Sequence, residues 1–143
     1  EIKEKTGATV IIHKAEIEIY RNSAQVARQF FGFEIENQPE PDKLIEDEKT
    51  IRIFDRELKF IHTPGHSPGS ISIYFDGYLF TGDTLFAGSV GRTDLYGGNM
   101  AQLLNSLKKI ASIPPDTVVF PGHGPKTKLE IEKKLNPFYH EIF

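Results

Sequence analysis

Three residues of metal-binding type each follow an apolar run in this 143-residue sequence: His66, Asp83 and His123. Imidazole nitrogen and carboxylate oxygen suit zinc, and also iron or manganese. His66 lies in Thr63-Pro64-Gly65-His66-Ser67-Pro68-Gly69, and His123 lies in Pro121-Gly122-His123-Gly124-Pro125. Pro on either side of each histidine restricts the local backbone, which lowers the ordering cost of a binding site, and Gly admits the tight turns. A histidine in a tight loop also serves simply to hydrogen-bond nearby backbone. Residue type alone leaves both readings open. Gly65-His66-Ser67-Pro68-Gly69 matches G-x-S-x-G as well, the nucleophile elbow of serine hydrolases. That elbow needs an N–H after the serine and a helix beyond it. Pro68 has no N–H and a β-type run follows, so the elbow is rejected.

The elements that position these residues follow from pattern. Phe60-Ile61-His62 closes an apolar run, and the Pro- and Gly-rich stretch after it cannot stay in a sheet. Ser70 to Phe75 alternates small polar with apolar residues, as a half-buried strand does. Asp76-Gly77 is a two-residue hairpin turn, and Tyr78-Leu79-Phe80 returns the chain to Gly82-Asp83. His66 and Asp83 thus stand at opposite ends of one hairpin path. Upstream, Lys49 to Phe54 and Glu57 to His62 predict a hairpin around Asp55-Arg56. Downstream, 84–98 is a glycine-rich loop without the spacing of a phosphate-binding P-loop. Asn99 predicts the cap of a helix carrying Leu103, Leu104, Leu107 and Ile110 on one face, stopped by Pro114-Pro115. Thr117 to Phe120 predicts a buried strand, and Thr127 to Leu135 a final helix.

Nearer the start, Glu1 to Gly7 resembles the last turns of a helix, with Gly7 as its C′ residue. Ala8 to His13 predicts a buried strand, with a structural histidine preferred to a ligand at His13. Lys14 to Gly32 predicts mostly helix, with Ser23 as N-cap and Val26, Ala27, Phe30 and Phe31 at packing spacing. Glu34 to Glu48 is acidic, carries Pro39 and Pro41, and reads as a solvated connection. The whole pattern predicts an α/β layered domain.

Four segments, Thr63 to Ser70 (TPGHSPGS), Thr81 to Phe86 (TGDTLF), Gly91 to Gly98 (GRTDLYGG) and Phe120 to Pro125 (FPGHGP), occur in that order. Together they resemble the metallo-β-lactamase superfamily in its glyoxalase II-like branch, from about Thr63 to Asn136-Pro137-Phe138. The resemblance implies an αβ/βα sandwich, of which this chain is mainly the C-terminal part. It implies that His66 binds one metal, His123 binds another and Asp83 bridges the two. Zinc is the expected metal, with iron or manganese as alternatives. Such metals lie about 3.5–4 Å apart and generate a bound hydroxide that attacks a thioester or similar ester carbonyl. Arg92 falls where glutathione-thioester hydrolases place a cation that meets the substrate carboxylate, although an arginine bracing its loop explains it equally. Asp94 stands where those enzymes carry a substrate-binding tyrosine.

The family's first motif, H-x-H-x-D-H, does not occur in the sequence. It precedes a helix such as the one at Glu1, so the expectation is a single metallo-hydrolase domain over 1–143, truncated at its N-terminus. The catalytic residues are then expected upstream of Glu1. A catalytic zinc wants three protein ligands plus water, whereas here each metal has two, one of them shared. The isolated chain is therefore expected to bind metal weakly and to have little activity. A mononuclear-iron persulfide dioxygenase shares a similar G-x-G-R-T-D loop, but the intact Pro121-Gly122-His123-Gly124 favours two metals. A non-catalytic fragment acting in assembly or binding is the third reading. Its exposed sheet edge predicts a homo-oligomer or association with the missing N-terminal segment.

Bulk properties exclude other classes. Hydrophobic residues at 38% and charged residues at 26% mark a globular chain. A net charge of −3 offers no footprint for nucleic acid. No apolar run approaches membrane-span length, and no signal-peptide pattern opens the chain. The absence of cysteine suits a cytoplasmic protein. The expected partner is a small-molecule thioester or ester.

Overall fold

The computed structural model describes residues 2–142, apart from the side chains of Phe30 and Phe31. The expectation that these two aromatics form a packing face lies outside the described residues. Contacts group the chain into two compact units, Glu1–Glu46 and Asp47–Phe143.

In the first unit, α1 (Ile2–Thr6) ends at Gly7, whose φ of 66° lets its N–H close on the Lys3 carbonyl at 2.8 Å. Strand β1 (Ile11–His13) pairs in parallel with β2 (Lys43–Ile45), His13 opposite Ile45. The acidic connection therefore contains a strand, and Ile45 is buried. Asp42 ties the two together by accepting the Val10 N–H at 2.8 Å and the Lys3 ammonium at 2.8 Å. Between the strands run a 3₁₀ turn at Lys14–Glu16, α2 (Ile17–Arg21), α3 (Ser23–Val26) and a wider π-type turn at Ala27–Phe31. Ser23 is not an N-cap. The N-cap is Asn22, whose N–H reaches Glu18 while its carbonyl accepts from Val26, so Ser23 already lies within the helix.

In the second unit the strands are β3 (Lys49–Ile53), β4 (Arg56–His62), β5 (Ile71–Phe75), β6 (Tyr78–Gly82), β7 (Leu85–Phe86), β8 (Ser89–Val90), β9 (Val118–Pro121) and β10 (Thr127–Lys128). Six of them form one sheet in the order β10-β9-β6-β5-β4-β3, and β7–β8 is a separate hairpin. The first turn lies at Phe54-Asp55, one residue earlier than expected, because Ile53 pairs with Arg56 and Ile51 with Leu58. That register keeps the apolar residues on a common face. Asp76 and Gly77 have φ of 50° and 81°, the paired positive values of a type I′ turn.

Strands β6 and β9 are parallel, so the chain between them must cross over, and it does so through α4 (Met100–Ala111). Asn99 caps α4 by accepting the Gln102 N–H at 3.0 Å. Leu103, Leu107 and Ile110 are wholly buried against Leu79 and Val119 of the sheet, and Leu104 packs at the margin. On the other face of the sheet Phe80 stacks on Phe120 at 5.4 Å, and Tyr78 and Phe80 are exposed. The last long helix, α5 (Leu129–Leu135), starts two residues later than expected, since Thr127 and Lys128 pair with Val119 and Val118. A short α6 (Pro137–His140) follows, capped by Asn136, which accepts the Phe138 N–H at 3.2 Å. Among the described residues no helix is long and apolar enough to cross a membrane.

Candidate metal centre

The loop that carries His66 is stapled to α4. Ser106 donates to the Pro64 carbonyl at 2.7 Å, Asn99 N–H to the Gly65 carbonyl at 2.8 Å, and Lys109 to the His62 carbonyl at 2.9 Å. Below it, buried Thr63 pairs its hydroxyl with Ser72 at 3.0 Å and with Thr84 at 3.3 Å. Thr84 directly follows Asp83, so the His66 loop and the end of β6 share one buried hydroxyl cluster. Two ends of a hairpin path distant in sequence become neighbours at one end of the sheet.

His66 presents its Nε2 to Asp83 Oδ2 at 3.6 Å, while its Nδ1 lies 2.8 Å from the Arg92 carbonyl. A carbonyl only accepts, so Nδ1 carries a proton, and Nε2 is the nitrogen left to face Asp83. His123 Nδ1 stands 2.8 Å from Asp83 Oδ1, and its ring meets Phe86 edge-on at 6.0 Å. The Asp83 carboxyl is therefore flanked by the two histidines, one at each oxygen. His66 and Asp83 are largely covered, with side chains 25% and 28% exposed, whereas His123 is 77% exposed.

Two glycines clear the space. A Cβ at Gly122 would stand 2.4 Å from Asp83 Oδ1, and one at Gly91 would stand 1.7 Å from the Asp83 carbonyl oxygen and 3.4 Å from His66 Cβ. The glycines flanking each motif were the sequence signal for this cradle; Phe86 carried none.

The donor set fits a metal unevenly. A 3.6 Å separation between His66 Nε2 and Asp83 Oδ2 is too long for a hydrogen bond. It matches two atoms that share a tetrahedral zinc, about 3.3–3.6 Å for bonds of about 2.0–2.2 Å. The His123–Asp83 contact is a closed hydrogen bond that a metal would have to open. Among the described residues no group of three or more His, Asp or Glu side chains closes on one metal position.

Arg92 joins the centre through its backbone carbonyl, while its guanidinium forms a two-point bridge to Asp94, with both bonds at 2.7 Å. The hydrogen bonds from the Arg92 guanidinium hold the Asp94 carboxyl down at about 2. Ser67 pairs its hydroxyl with Ser70 at 2.8 Å and is followed by β5, as expected of a loop serine rather than an elbow nucleophile. His13, in the first unit, is buried with Nδ1 accepting from Ala15 N–H and Nε2 at 2.6 Å from the Glu46 carbonyl. It is a structural histidine. Two surface clefts, one beside Arg56 and Asp76 and one beside Lys59 and Lys109, lie away from the three-residue cluster.

The sequence profile of the metallo-β-lactamase superfamily matches residues 1–123. The chain belongs to this superfamily. Within it, a protein of Bacillus subtilis (strain 168) called "Probable metallo-hydrolase YqgX" is 39% identical over 145 residues, covering 96% of this chain and 67% of its own length. BLEG-1, described as a B3 metallo-β-lactamase, superposes with a TM-score of 0.88 at 37% identity, over 96% of this chain and 68% of its own. TTHA1623, solved in a di-iron-bound form, gives 0.84 at 39% identity with the same coverage, 96% and 68%. The chain thus spans about two thirds of the length of these superfamily relatives. The α/β fold is that of the metallo-β-lactamase superfamily.

Proposed function

We propose that this chain supplies the Asp83-centred part of a metal-dependent hydrolase site of glyoxalase II type, acting on a thioester or related ester. One observation carries the reading: the Asp83 carboxyl has one oxygen 2.8 Å from His123 and the other 3.6 Å from His66. His66 would hold one metal, His123 a second, and Asp83 would bridge both. A bound metal pair of this kind acidifies water to near neutrality and polarises a carbonyl. Zinc is the metal proposed, and the di-iron form of TTHA1623 makes iron the alternative.

The chain's own residues prepare the site. The Arg92 carbonyl fixes the His66 tautomer, a form of orientation typical of residues behind metal ligands. Arg92 is the proposed contact for a substrate carboxylate, which would compete with Asp94 for the same N–H groups. Three donors for two metals fall short of three ligands and a water per catalytic zinc. The 143-residue chain by itself is therefore proposed to bind zinc weakly and to turn over slowly.

The likeness to BLEG-1 favours a second reading, hydrolysis of a β-lactam amide at the same centre. An assay of the zinc- and iron-loaded protein against a glutathione thioester, a simple acyl thioester and a chromogenic β-lactam separates them. Preference for either thioester supports the first reading and preference for the β-lactam the second. Oxygen consumption with a persulfide and one iron per chain would replace both with a dioxygenase.

A further inference from the structure

Glu132 sits on α5, outside the loops that carry His66, Asp83 and His123, and is buried at 2% exposure. Its Oε1 accepts the Thr127 hydroxyl at 2.7 Å, and its Oε2 accepts the Gly88 N–H at 2.8 Å and the Asn136 side-chain N–H at 2.9 Å. Asn136, wholly buried, also donates to the Ser89 carbonyl at 3.0 Å. We infer that Glu132 is a positioning residue of the centre, one buried carboxyl that sets both the loop leaving His123 and the hairpin leaving Asp83.

Two routes run outward from it. Thr127 ends the short loop that begins at His123. Gly88 lies in the turn of β7–β8 and Ser89 opens β8; the first strand of this hairpin follows Asp83 and Thr84. That hairpin places Phe86 edge-on against the His123 ring and leads into Gly91, which abuts Asp83 and His66. Fixing the hairpin at both Gly88 and Ser89 therefore fixes contacts to the His123 ring, the His66 side chain and the Asp83 backbone. A buried carboxyl is tolerated when its oxygens are hydrogen-bonded, and removing it alone would strand the Thr127, Gly88 and Asn136 donors. One carboxyl at this place holds three separate segments together.

The inference uses the metal reading only for one of its two readouts. The first readout is the ring ¹H and ¹⁵N signals of His66 and His123 in the metal-free protein; the second is zinc affinity by titration. In Glu132→Gln the amide oxygen keeps Gly88 and Asn136 while the Thr127 hydroxyl turns to accept, so both rings keep their wild-type signals. In Glu132→Leu the His123 ring loses its ring-current shift from Phe86 and zinc affinity falls about tenfold, with the thermal midpoint lowered because three donors lose their acceptor. Thr127→Val moves the His123 signals and spares those of His66. Wild-type ring signals in Glu132→Leu, with only the thermal midpoint changed, overturn the inference. If Glu132→Leu does not fold, unshifted His123 signals in Thr127→Val overturn it instead. A wild-type protein that takes up no zinc sinks the metal reading, while the ring signals still decide the role of Glu132.

Discussion

Gly122 brings its backbone so close to the Asp83 carboxyl that a Cβ there would stand 2.4 Å from Oδ1 and 3.1 Å from the Gly82 carbonyl carbon. The approach is fastened by the Gly122 N–H donating to the Gly82 carbonyl at 2.7 Å. The loop of His123 is thereby pinned to the end of β6, and the His123–Asp83 contact follows from that pinning. Gly122 has no positive φ, so its role is space alone. Gly122→Ala should fold, cost about 1–3 kcal/mol through overpacking, and turn the Asp83 carboxyl away from His123. Chemical denaturation and the His123 ring signals check this together. A variant with wild-type stability and signals would show that the close approach is not needed.

Gly65 is a glycine for two reasons. Its φ is 141°, a region open in practice to glycine only, and a Cβ would stand 2.5 Å from the backbone of Leu103. Gly65→Ala should lose about 1–3 kcal/mol from the strained backbone and a similar amount from the clash. The loss should fall on the seat of the His66 loop on α4. Amide exchange at Ser106 and Leu107 faster than wild type is the expected mark, and unchanged exchange would contradict it.

Asp94 reports on Arg92. Its carboxyl is held at about 2 against an ordinary 3.8 by the two-point bond from the Arg92 guanidinium. A carboxyl whose folded pKa lies below its unfolded one stabilises the fold above the unfolded value and loses that contribution as pH falls through the folded value. The Arg92–Asp94 bridge should thus be intact above about pH 4 and lost towards pH 2. An NMR titration should place the Asp94 midpoint near 2, and Arg92→Ala should return it towards 3.8. A wild-type midpoint already near 3.8 would show an open pair, with Arg92 available to a substrate at no cost.

The legible parts of the fold were those fixed by local chemistry. Asp76-Gly77 declared its turn because both residues tolerate the positive φ that the turn demands. Asn99 and the leucine stripe of α4 declared a capped helix whose apolar face is wholly buried. Strand β2 was hidden because three residues in an acidic, proline-bearing stretch are too few for periodicity, and its partner residues in β1 lie 32 positions away, as in Ile11 opposite Lys43. The two-residue strands of β7–β8 escaped for the same reason. In the site, glycine and proline marked the loops of His66 and His123, and the motif order tied them to Asp83. Glu132 stands in Leu129-Glu130-Ile131-Glu132-Lys133-Lys134, which reads as a charged helix surface. Its partners Thr127 and Asn136 are near in sequence, but Gly88 lies 44 positions away and only the tertiary structure brings it in.

The central claim is that Asp83 is shared between His66 and His123 as a metal bridge. Zinc titration of the protein, followed through the ring nitrogens of all five histidines, tests it most directly. The account predicts that His66 and His123 shift together, that His13, His62 and His140 do not, and that Asp83→Asn abolishes both shifts. Independent shifts of His66 and His123, or shifts that survive Asp83→Asn, would contradict it.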